Sequence, residues 1–405
     1  MDAVKICVAG MGARGFGLMT AVWLDREDVS IIGVCDPYED RTKNAADEVE
    51  KRTGRRPAEF SDCRRMLDLK PDLFIVTTSW RDHIPLVMES LERGIYVACE
   101  VGGSYTIEQC WELVRAQERT GTPLAFLENC CFGREELMVL DMVRKGILGT
   151  VVHCSGRYGH DLRGEVTGGR INRHYRLENY LKRNCENYPT HELGPIAKIL
   201  GINRGNRMLT LSSYSSAAVG LEEYVREHNP DPALKGAKFS QGDVVTTLIR
   251  CAGGETIELS LDTTLPRPYS RGFTVRGTKG MFCEDNRSLF LESENHAEAE
   301  FTWHNQFNNI DRYYERFDHP VWRKFIRDGV KGSHGGMDWL LFDDLFACVK
   351  EGRRFDIDVY DMAAWMAVTA LSEQSVSLGG APVPVPDFTC GKWIDGTVSY
   401  VTPER

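Results

Sequence analysis

The sequence has 405 residues, of which 42% are hydrophobic and 27% charged, and its formal net charge is −10. This length predicts two or more domains, and the composition is that of an ordinary globular protein. The negative charge and the isolated basic clusters argue against a nucleic-acid-binding surface. No apolar run is long enough to span a bilayer, and no leader pattern precedes the first strand. We therefore expect a cytoplasmic protein that binds neither nucleic acid nor membrane.

The chain contains 13 cysteines, and no two have the CxxC spacing. Four lie inside apolar strand patterns: Cys7, Cys35, Cys99 and Cys154. Buried, reduced thiols that act as small hydrophobic side chains explain these positions best. Cys130 and Cys131 are adjacent, but no nearby cysteine or histidine completes a zinc spacing, so we expect no metal ion.

The N-terminal stretch has the order of a dinucleotide-binding fingerprint. The apolar run Val4–Ala9 is followed by GMGARG (10–15), an amphipathic segment, and the strand-like run SIIGVCD that ends in Asp36. Gly10 permits the tight turn, Gly12 the approach of a pyrophosphate, and Gly15 the packing of the helix on the sheet. A carboxylate at position 36 accepts hydrogen bonds from ribose hydroxyls and repels a 2′-phosphate, so we expect NAD rather than NADP.

Three further apolar runs, at 71–78, 94–100 and 122–129, predict parallel strands separated by helices. We interpret residues 1–130 as a Rossmann NAD-binding domain, in which ligands lie at the carboxyl ends of the strands. The expected cofactor-binding residues are Gly10, Gly12, Ala13, Arg14, Gly15, Asp36, Trp80, His83, Glu100, Val101, Asn129 and Arg176. For Trp80 and His83, a packing pair at a helix start is the alternative.

From about residue 150 the apolar positions alternate with period two, which predicts antiparallel strands. We expect residues 131–405 to form an α+β domain with an open, mostly antiparallel sheet, and its last helices to pack back on the first domain. The overall fold class is therefore α/β followed by α+β. An open sheet is a natural contact surface between copies of a chain, so we expect a homodimer or a higher homo-oligomer.

The segment ENYPTHELGP (186–195) contains two titratable aromatic side chains, Tyr188 and His191, on either side of a proline. Pro189 fits the first position of a helix, where its missing N–H costs nothing. Tyr188 would then precede the helix and His191 would lie in its first turn, so that both can face one cleft. On these residues alone, a capped helix with a buried histidine is an equally good interpretation.

Four segments carry a resemblance to a known family: LENCCFGR (127–134), NYPTHELGPIAKILGINRG (187–205), TTLPRPYSRGFTVRGTKG (263–280) and SHGGMD (333–338). With them, the chain resembles glycoside hydrolase family 109, the NAD-dependent glycosidases known for alpha-N-acetylgalactosaminidase, within the glucose–fructose oxidoreductase and inositol dehydrogenase superfamily. Dehydrogenases of that superfamily carry Glu-Lys-Pro where this chain has Glu100-Val101-Gly102, so their lysine is absent. Two segments depart from the family pattern: EVGG replaces Glu-Val-Pro-Ala, and THEL replaces THGL.

The resemblance implies a redox route to glycoside hydrolysis. NAD takes hydride from C3 of the sugar, the C2 proton is removed, the C1 substituent is eliminated, water adds, and hydride returns to C3. The resemblance assigns Tyr188 and His191 as the acid/base pair, and matches Tyr158 and Tyr269 to further aromatic positions of the catalytic site. The alternatives are an NAD-dependent sugar dehydrogenase or epimerase that uses the same site, and a non-catalytic NAD-binding regulator.

Overall fold

The computed structural model describes residues 3–228, 230–295 and 303–394. The second predicted domain therefore extends, at 395–405, beyond the described residues. The first sheet is parallel, with the strand order β3-β2-β1-β4-β5-β6. Its strands are β1 (Val4–Ala9), β2 (Val29–Cys35), β3 (Ala58–Phe60), β4 (Leu73–Val76), β5 (Val97–Cys99) and β6 (Leu124–Phe126).

The strands that can be predicted from the sequence are the buried ones, because burial requires a run of apolar residues. Strands β4, β5 and β6 are buried at every residue, as expected for a parallel sheet with both faces covered. The prediction of a parallel Rossmann sheet is confirmed. The sequence analysis missed β3, because this three-residue edge strand is largely exposed and carries no apolar run.

Six helices accompany this sheet: α1 (Ala13–Ala21), α2 (Glu39–Thr53), α3 (Cys63–Met66), α4 (Trp80–Glu92), α5 (Ile107–Thr120) and α6 (Arg134–Arg144). Helix α1 begins directly after the glycine turn that follows β1. Helix α5 begins with a capping box, in which the Thr106 hydroxyl accepts from the Gln109 N–H and the Gln109 side chain accepts from the Thr106 N–H.

The second sheet is mixed and has the strand order β13-β12-β11-β7-β10-β9-β8-β14. Its strands are β7 (Val151–Gly159), β8 (Met208–Ser215), β9 (Val244–Cys251), β10 (Thr256–Asp262), β11 (Thr274–Gly277), β12 (Gly280–Cys283), β13 (Ser288–Leu291) and β14 (Val383–Pro384). Among the described strands of this second sheet, only the pairing of β7 with β10 is parallel, which confirms the prediction of an open, mostly antiparallel sheet.

The helices that follow α6 are α7 (Arg163–Thr167), α8 (Gly169–Asn172), α9 (Arg176–Lys182), α10 (Thr190–Leu200), α11 (Gly220–His228), α12 (Glu292–Asn295), α13 (Asp311–Phe317), α14 (Pro320–Asp328), α15 (Met337–Glu351) and α16 (Val359–Ser377). Helix α10 packs against β7 and runs through Pro195 to Leu200. Pro189 lies at the N-cap rather than at the first helical position, so the predicted helix start differs by one residue.

The C-terminal helices return to the first sheet. Helix α16 packs on α5, and the Ser104 N–H donates to the Met366 carbonyl at 3.1 Å. The Phe126 N–H of β6 donates to the Ile357 carbonyl at 3.0 Å. Helix α16 of the second predicted domain thus packs on the first, and the division at residues 130 and 131 stays a prediction. Among the helices within the described ranges, none is both long and apolar enough to cross a membrane.

Two carboxyl groups lie buried behind the start of α10. Oε1 of Glu186 accepts from the Tyr188 N–H at 3.4 Å, and Oε2 of Glu192 accepts from the Ser260 N–H at 3.1 Å. Oε2 of Glu186 and Oε1 of Glu192 are buried without a hydrogen-bond donor among the described residues, and a proton on one carboxyl would let it donate to the other. Burial raises the pKa of Glu186 to about 8 and that of Glu192 well above its usual range.

This pair predicts that stability decreases as the pH rises. In the unfolded chain both groups ionise near the ordinary glutamate pKa of 4.5, whereas the folded protein retains its protons up to about pH 8. The unfolded state therefore binds fewer protons in this interval, and the free energy of unfolding falls with pH. We expect Glu186→Gln to flatten this slope in urea titrations between pH 4.5 and 8. Glu227→Gln, on an exposed residue of α11, is the matched control and should leave it unchanged; an unaltered slope in Glu186→Gln would contradict the pairing.

Candidate active site

One large cleft, of about 1240 Å³, lies at the carboxyl ends of the first sheet and is bounded on its other side by the start of α10. Residues of both predicted domains line it. The predicted cofactor residues that line the cleft are Gly10, Gly12, Ala13, Arg14, Asp36, His83, Glu100, Val101, Asn129 and Arg176. The predicted catalytic residues that line it are Tyr158, Tyr188 and His191.

The glycine turn has the geometry that a dinucleotide requires. Gly10 has φ +94°, and a Cβ at this position would lie 2.6 Å from the Thr77 carbonyl oxygen. A Cβ on Gly15 would lie 2.0 Å from the Gly10 carbonyl oxygen, so Gly15 allows α1 to approach the turn although it does not line the cleft. Gly12 precedes α1 without a side-chain cap, which leaves the first N–H groups of the helix available to phosphates.

Asp36 is fixed beside this turn. Its Oδ2 accepts from the Met11 N–H at 2.8 Å and its Oδ1 accepts from the Tyr38 N–H at 3.0 Å. The side chain is buried but lines the cleft, so its remaining lone pairs can accept from ribose hydroxyls. Arg41, which the sequence analysis did not single out, lines the same end of the cleft, with Nη1 4.0 Å from Asp36 Oδ2.

Arg14 connects the start of α1 to two distant carboxylates. Its Nε donates to Glu100 at 2.9 Å, and its two Nη atoms donate to Asp338 at 2.9 Å each. Asn129 also donates to Asp338, at 2.8 Å. Burial would raise the pKa of Asp338, but the hydrogen bonds from His334 and Arg14 hold it well below its usual range. Asp338 belongs to the SHGGMD segment, but no pattern in the sequence indicates that it contacts Arg14 and Asn129.

Three connected side chains lie at the second half of the cleft: Tyr188 and His191 line it, and Glu128 is buried beside them. The Tyr188 hydroxyl lies 3.4 Å from Nε2 of His191, and Nδ1 of His191 donates to Oε1 of Glu128 at 2.7 Å. Burial would lower the pKa of His191, but the adjacent Cys130 and Glu128 raise it well above its usual range. Burial would likewise raise the pKa of Glu128, and its contacts with His191 lower it. The pair is therefore a buried ion pair with a tyrosine hydroxyl at its open end.

Aromatic rings support Tyr188 from two sides. The Tyr158 ring centroid lies 4.5 Å from that of Tyr188, and Trp80 stacks on Tyr188 at 5.5 Å. The Arg176 guanidinium lies 4.8 Å from the Tyr188 ring and 5.0 Å from the Trp80 ring. Burial raises the pKa of Tyr188, while the positive charge of Arg176 opposes that rise. Trp80 is not among the cleft-lining residues, so its place is behind Tyr188.

The EVGG segment packs closely against these elements. A Cβ on Gly102 would lie 2.5 Å from Cδ1 of Trp80, and one on Gly103 would lie 2.2 Å from Oγ1 of Thr369. Substituting either glycine would displace Trp80 or the face of α16.

His83 and Tyr269 differ from the other predicted residues. His83 lines the cleft, but its Nε2 contacts the Thr78 carbonyl oxygen at 3.0 Å, and burial lowers its pKa to about 4, so the ring is neutral. Tyr269 is 54% exposed and does not line the cleft. Its ring lies 5.4 Å from that of His160, and no described contact brings it to Tyr188, so its catalytic role stays a prediction.

The donor atoms of Glu128, Cys130 and His191 lie within 4.8 Å of one another, the one group in the described ranges that could hold a metal ion. His191 is far from Cys130 in the chain, so the sequence spacing does not reveal it as a partner of the cysteine pair. Glu128 and His191 hydrogen-bond directly, so an ion would have to separate them. The expectation of no metal stays a prediction.

Comparisons with known proteins match both parts of the chain. Residues 4–126 match the family described as Oxidoreductase family, NAD-binding Rossmann fold, and residues 132–395 match the family described as Glycosyl hydrolase 109, C-terminal domain. A Glycosyl hydrolase family 109 protein of Stenotrophomonas maltophilia (strain K279a) is 35% identical, over 96% of this chain and 90% of that protein. An Alpha-N-acetylgalactosaminidase of Shewanella oneidensis is 34% identical, over 97% of this chain and 86% of that protein.

Solved structures share the fold at low sequence identity. The WlbA dehydrogenase from Bordetella pertussis, in complex with NADH and UDP-GlcNAcA, has a TM-score of 0.67 at 15% identity and covers 95% of this chain and 99% of that chain. The cleft geometry and the family matches together show that NAD is the cofactor. The chain belongs to glycosyl hydrolase family 109 and is an NAD-dependent glycoside hydrolase built on an oxidoreductase fold.

Proposed function

We propose that this protein hydrolyses a glycosidic bond by transient oxidation of the sugar at C3. The observation that carries the proposal is that Tyr188 and His191 line the same cleft as the glycine turn, with the buried Glu128 hydrogen-bonded to His191. When bound, NAD supplies reversible hydride transfer at C3, so that this carbon is oxidised first and reduced at the end. The other steps are proton transfers, which belong to the side chains of this chain.

Tyr188 and His191 act as one acid/base unit. The sugar O3 must lose a proton as C3 is oxidised, and the resulting ketone acidifies the hydrogen on C2. Removal of that proton expels the C1 substituent, and addition of water at C1 with return of the proton to C2 completes hydrolysis. The Tyr188 hydroxyl can exchange a proton with His191, and the Glu128 carboxylate stabilises the imidazolium form of that histidine.

Arg176 is available to bind the substrate or the cofactor. It lines the cleft, and its buried Nη1 has no hydrogen-bond partner within the part of the chain that the structure describes. A buried donor without an acceptor is costly, so an oxygen atom of the ligand would compensate for it. Since a relative of this chain is an Alpha-N-acetylgalactosaminidase, alpha-N-acetylgalactosaminides are the first glycosides to test.

A net sugar dehydrogenase or epimerase is the second candidate, because the cleft contains the same acid/base unit and the solved relatives include dehydrogenases. Such an enzyme would release NADH or a sugar of altered stereochemistry instead of the leaving group. The segment Glu100-Val101-Gly102 favours hydrolysis, since it lacks the lysine that the superfamily resemblance implies for a dehydrogenase.

We further propose that the protein works in the cytoplasm on a small-molecule glycoside, as a homodimer or higher homo-oligomer. The outward face of the second sheet supports this assembly, because it exposes the apolar side chains of Val152, Tyr214 and Leu248.

The carboxylate of Asp36 predicts a cofactor preference. We expect NAD to bind much more tightly than NADP, because Asp36 accepts from ribose hydroxyls and repels a 2′-phosphate. In calorimetry on protein stripped of cofactor, Asp36→Ala should narrow the gap between the two affinities. Asp82→Ala, at another acid lining the cleft, is the control and should keep the preference. Equal affinities in the wild-type protein would contradict the assignment.

The redox route predicts an isotope pattern. Turnover in heavy water should place deuterium at C2 of the released sugar and not at C3, because the base at C2 exchanges its proton with solvent while hydride is retained at C3. Tyr188→Phe and His191→Ala should each reduce the rate on the order of 10²-fold or more. Tyr214→Phe, at an exposed tyrosine on β8, should have a normal rate. NAD binding should survive in all three variants. Product formed without exchange at C2 would refute the mechanism.

Glu128 predicts a shift in the pH dependence of the rate. Its carboxylate raises the pKa of His191, so Glu128→Gln should lower that pKa and retain the bulk of the side chain. The ionisation of His191 in the profile of kcat/KM against pH should therefore move to lower pH. A profile with unchanged inflections and only a reduced rate would show that Glu128 does not act through His191.

A further inference from the structure

Two thiols lie unusually close together at the edge of the first sheet. Sγ of Cys63 lies 3.0 Å from Sγ of Cys35, although the two residues are 28 positions apart. Both are free thiols; Cys35 is buried at the end of β2, and Cys63 is partly exposed at the start of α3. A disulfide has a sulfur–sulfur distance of about 2.05 Å, so a displacement of about 1 Å would allow the bond to form.

The surroundings determine which of the two residues can move. Strand β2 is paired with β1 on one side and with β3 on the other, and the Cys35 carbonyl accepts from the Gly10 N–H at 2.8 Å. Cys63 begins a four-residue helix whose N-cap, Asp62, is bonded to the Arg64 N–H. The displacement would therefore be taken up by the start of α3, and the glycine turn would keep its position.

We propose that Cys35 and Cys63 are a redox-sensitive site that a low-molecular-weight disulfide, such as glutathione disulfide, converts to an intramolecular disulfide. The Cys63 thiolate attacks one sulfur of glutathione disulfide and releases one glutathione. Cys35 then attacks the Cys63 sulfur of the mixed disulfide and releases the second glutathione. The protein loses two electrons and two protons, and these reduce one glutathione disulfide to two thiols.

The difference in solvent exposure between the two thiols determines which of them reacts first with glutathione disulfide. The contact with Cys63 and burial raise the pKa of the Cys35 thiol, so Cys35 is the poorer first nucleophile. Cys63 is accessible from solvent and reacts first with the reagent. Once Cys63 carries glutathione, the short distance between the sulfur atoms favours attack by Cys35 over release of the mixed disulfide.

The disulfide would link the end of β2 to the start of α3 at the edge of the first sheet. The loop that it closes contains α2 and the exposed edge strand β3, which pairs only with β2 among the described strands. Cross-linking such a loop restricts the unfolded chain and raises stability when the native geometry already fits. We therefore expect the oxidised protein to have a higher Tm than the reduced protein and the same dissociation constant for NAD.

The test uses the full chain, reduced and then incubated anaerobically with excess glutathione disulfide. Proteolysis without reductant, followed by mass spectrometry, should yield a linked peptide that contains Cys35 and Cys63. Cys63→Ser and Cys35→Ser should both lack this linkage and the increase in Tm. Cys390→Ser, which removes an exposed thiol, is the matched control and should retain both.

Three results would overturn the proposal. In the first, Cys35 remains free while Cys63 carries only glutathione. In the second, Cys35 or Cys63 is linked to another cysteine. In the third, the linkage forms completely but Tm does not rise, or NAD binding, measured by calorimetry on both forms, weakens severalfold. Because each readout compares the oxidised and reduced forms of the same wild-type protein, poor folding of a variant cannot produce these results.

Discussion

The hydrogen bond between Glu128 and His191 joins the two halves of this molecule at the place where they must act together. Glu128 follows the last strand of the first sheet, and His191 lies in the first turn of α10. The Glu128 side chain is fully buried and that of His191 is 13% exposed, so each charge would be costly without the other. Their 2.7 Å contact therefore fixes the position of α10, and with it Tyr188, relative to the glycine turn.

A second group of charged side chains, around Arg14, also holds distant parts of the chain together beside the cleft. Arg14 follows the glycine turn, yet its guanidinium is held by Glu100 and by Asp338 of α15. The sequence analysis expected Arg14 to bind the cofactor. The structure places it in the cleft wall, where most of its donors are used by the protein. The contacts of Arg14 with Glu100 and Asp338 thus hold the start of α1 close to the end of β5 and to α15.

The two departures from the family pattern have physical explanations in the structure. In EVGG, Gly102 and Gly103 leave the space that Trp80 and Thr369 occupy, and Trp80 in turn stacks on Tyr188. In THEL, the carboxyl of Glu192 faces that of Glu186. Its Cβ lies against Gly156, where an added Cβ would be 2.9 Å from the Glu192 Cβ. Both differences therefore act behind the reacting side chains rather than on the ligand.

The sequence by itself determined the features that depend on residues close to one another along the chain. The fingerprint from β1 to Asp36, the buried parallel strands and the placement of Tyr188 and His191 at a helix start follow from local patterns of glycine, proline and apolar residues. Only the tertiary structure decided which distant side chains meet. The partners His191 and Glu128 are 63 positions apart, Arg14 and Asp338 are 324 apart, and Cys35 and Cys63 are 28 apart. No periodicity in a sequence encodes such contacts, because they depend on how strands and helices pack once the chain has folded.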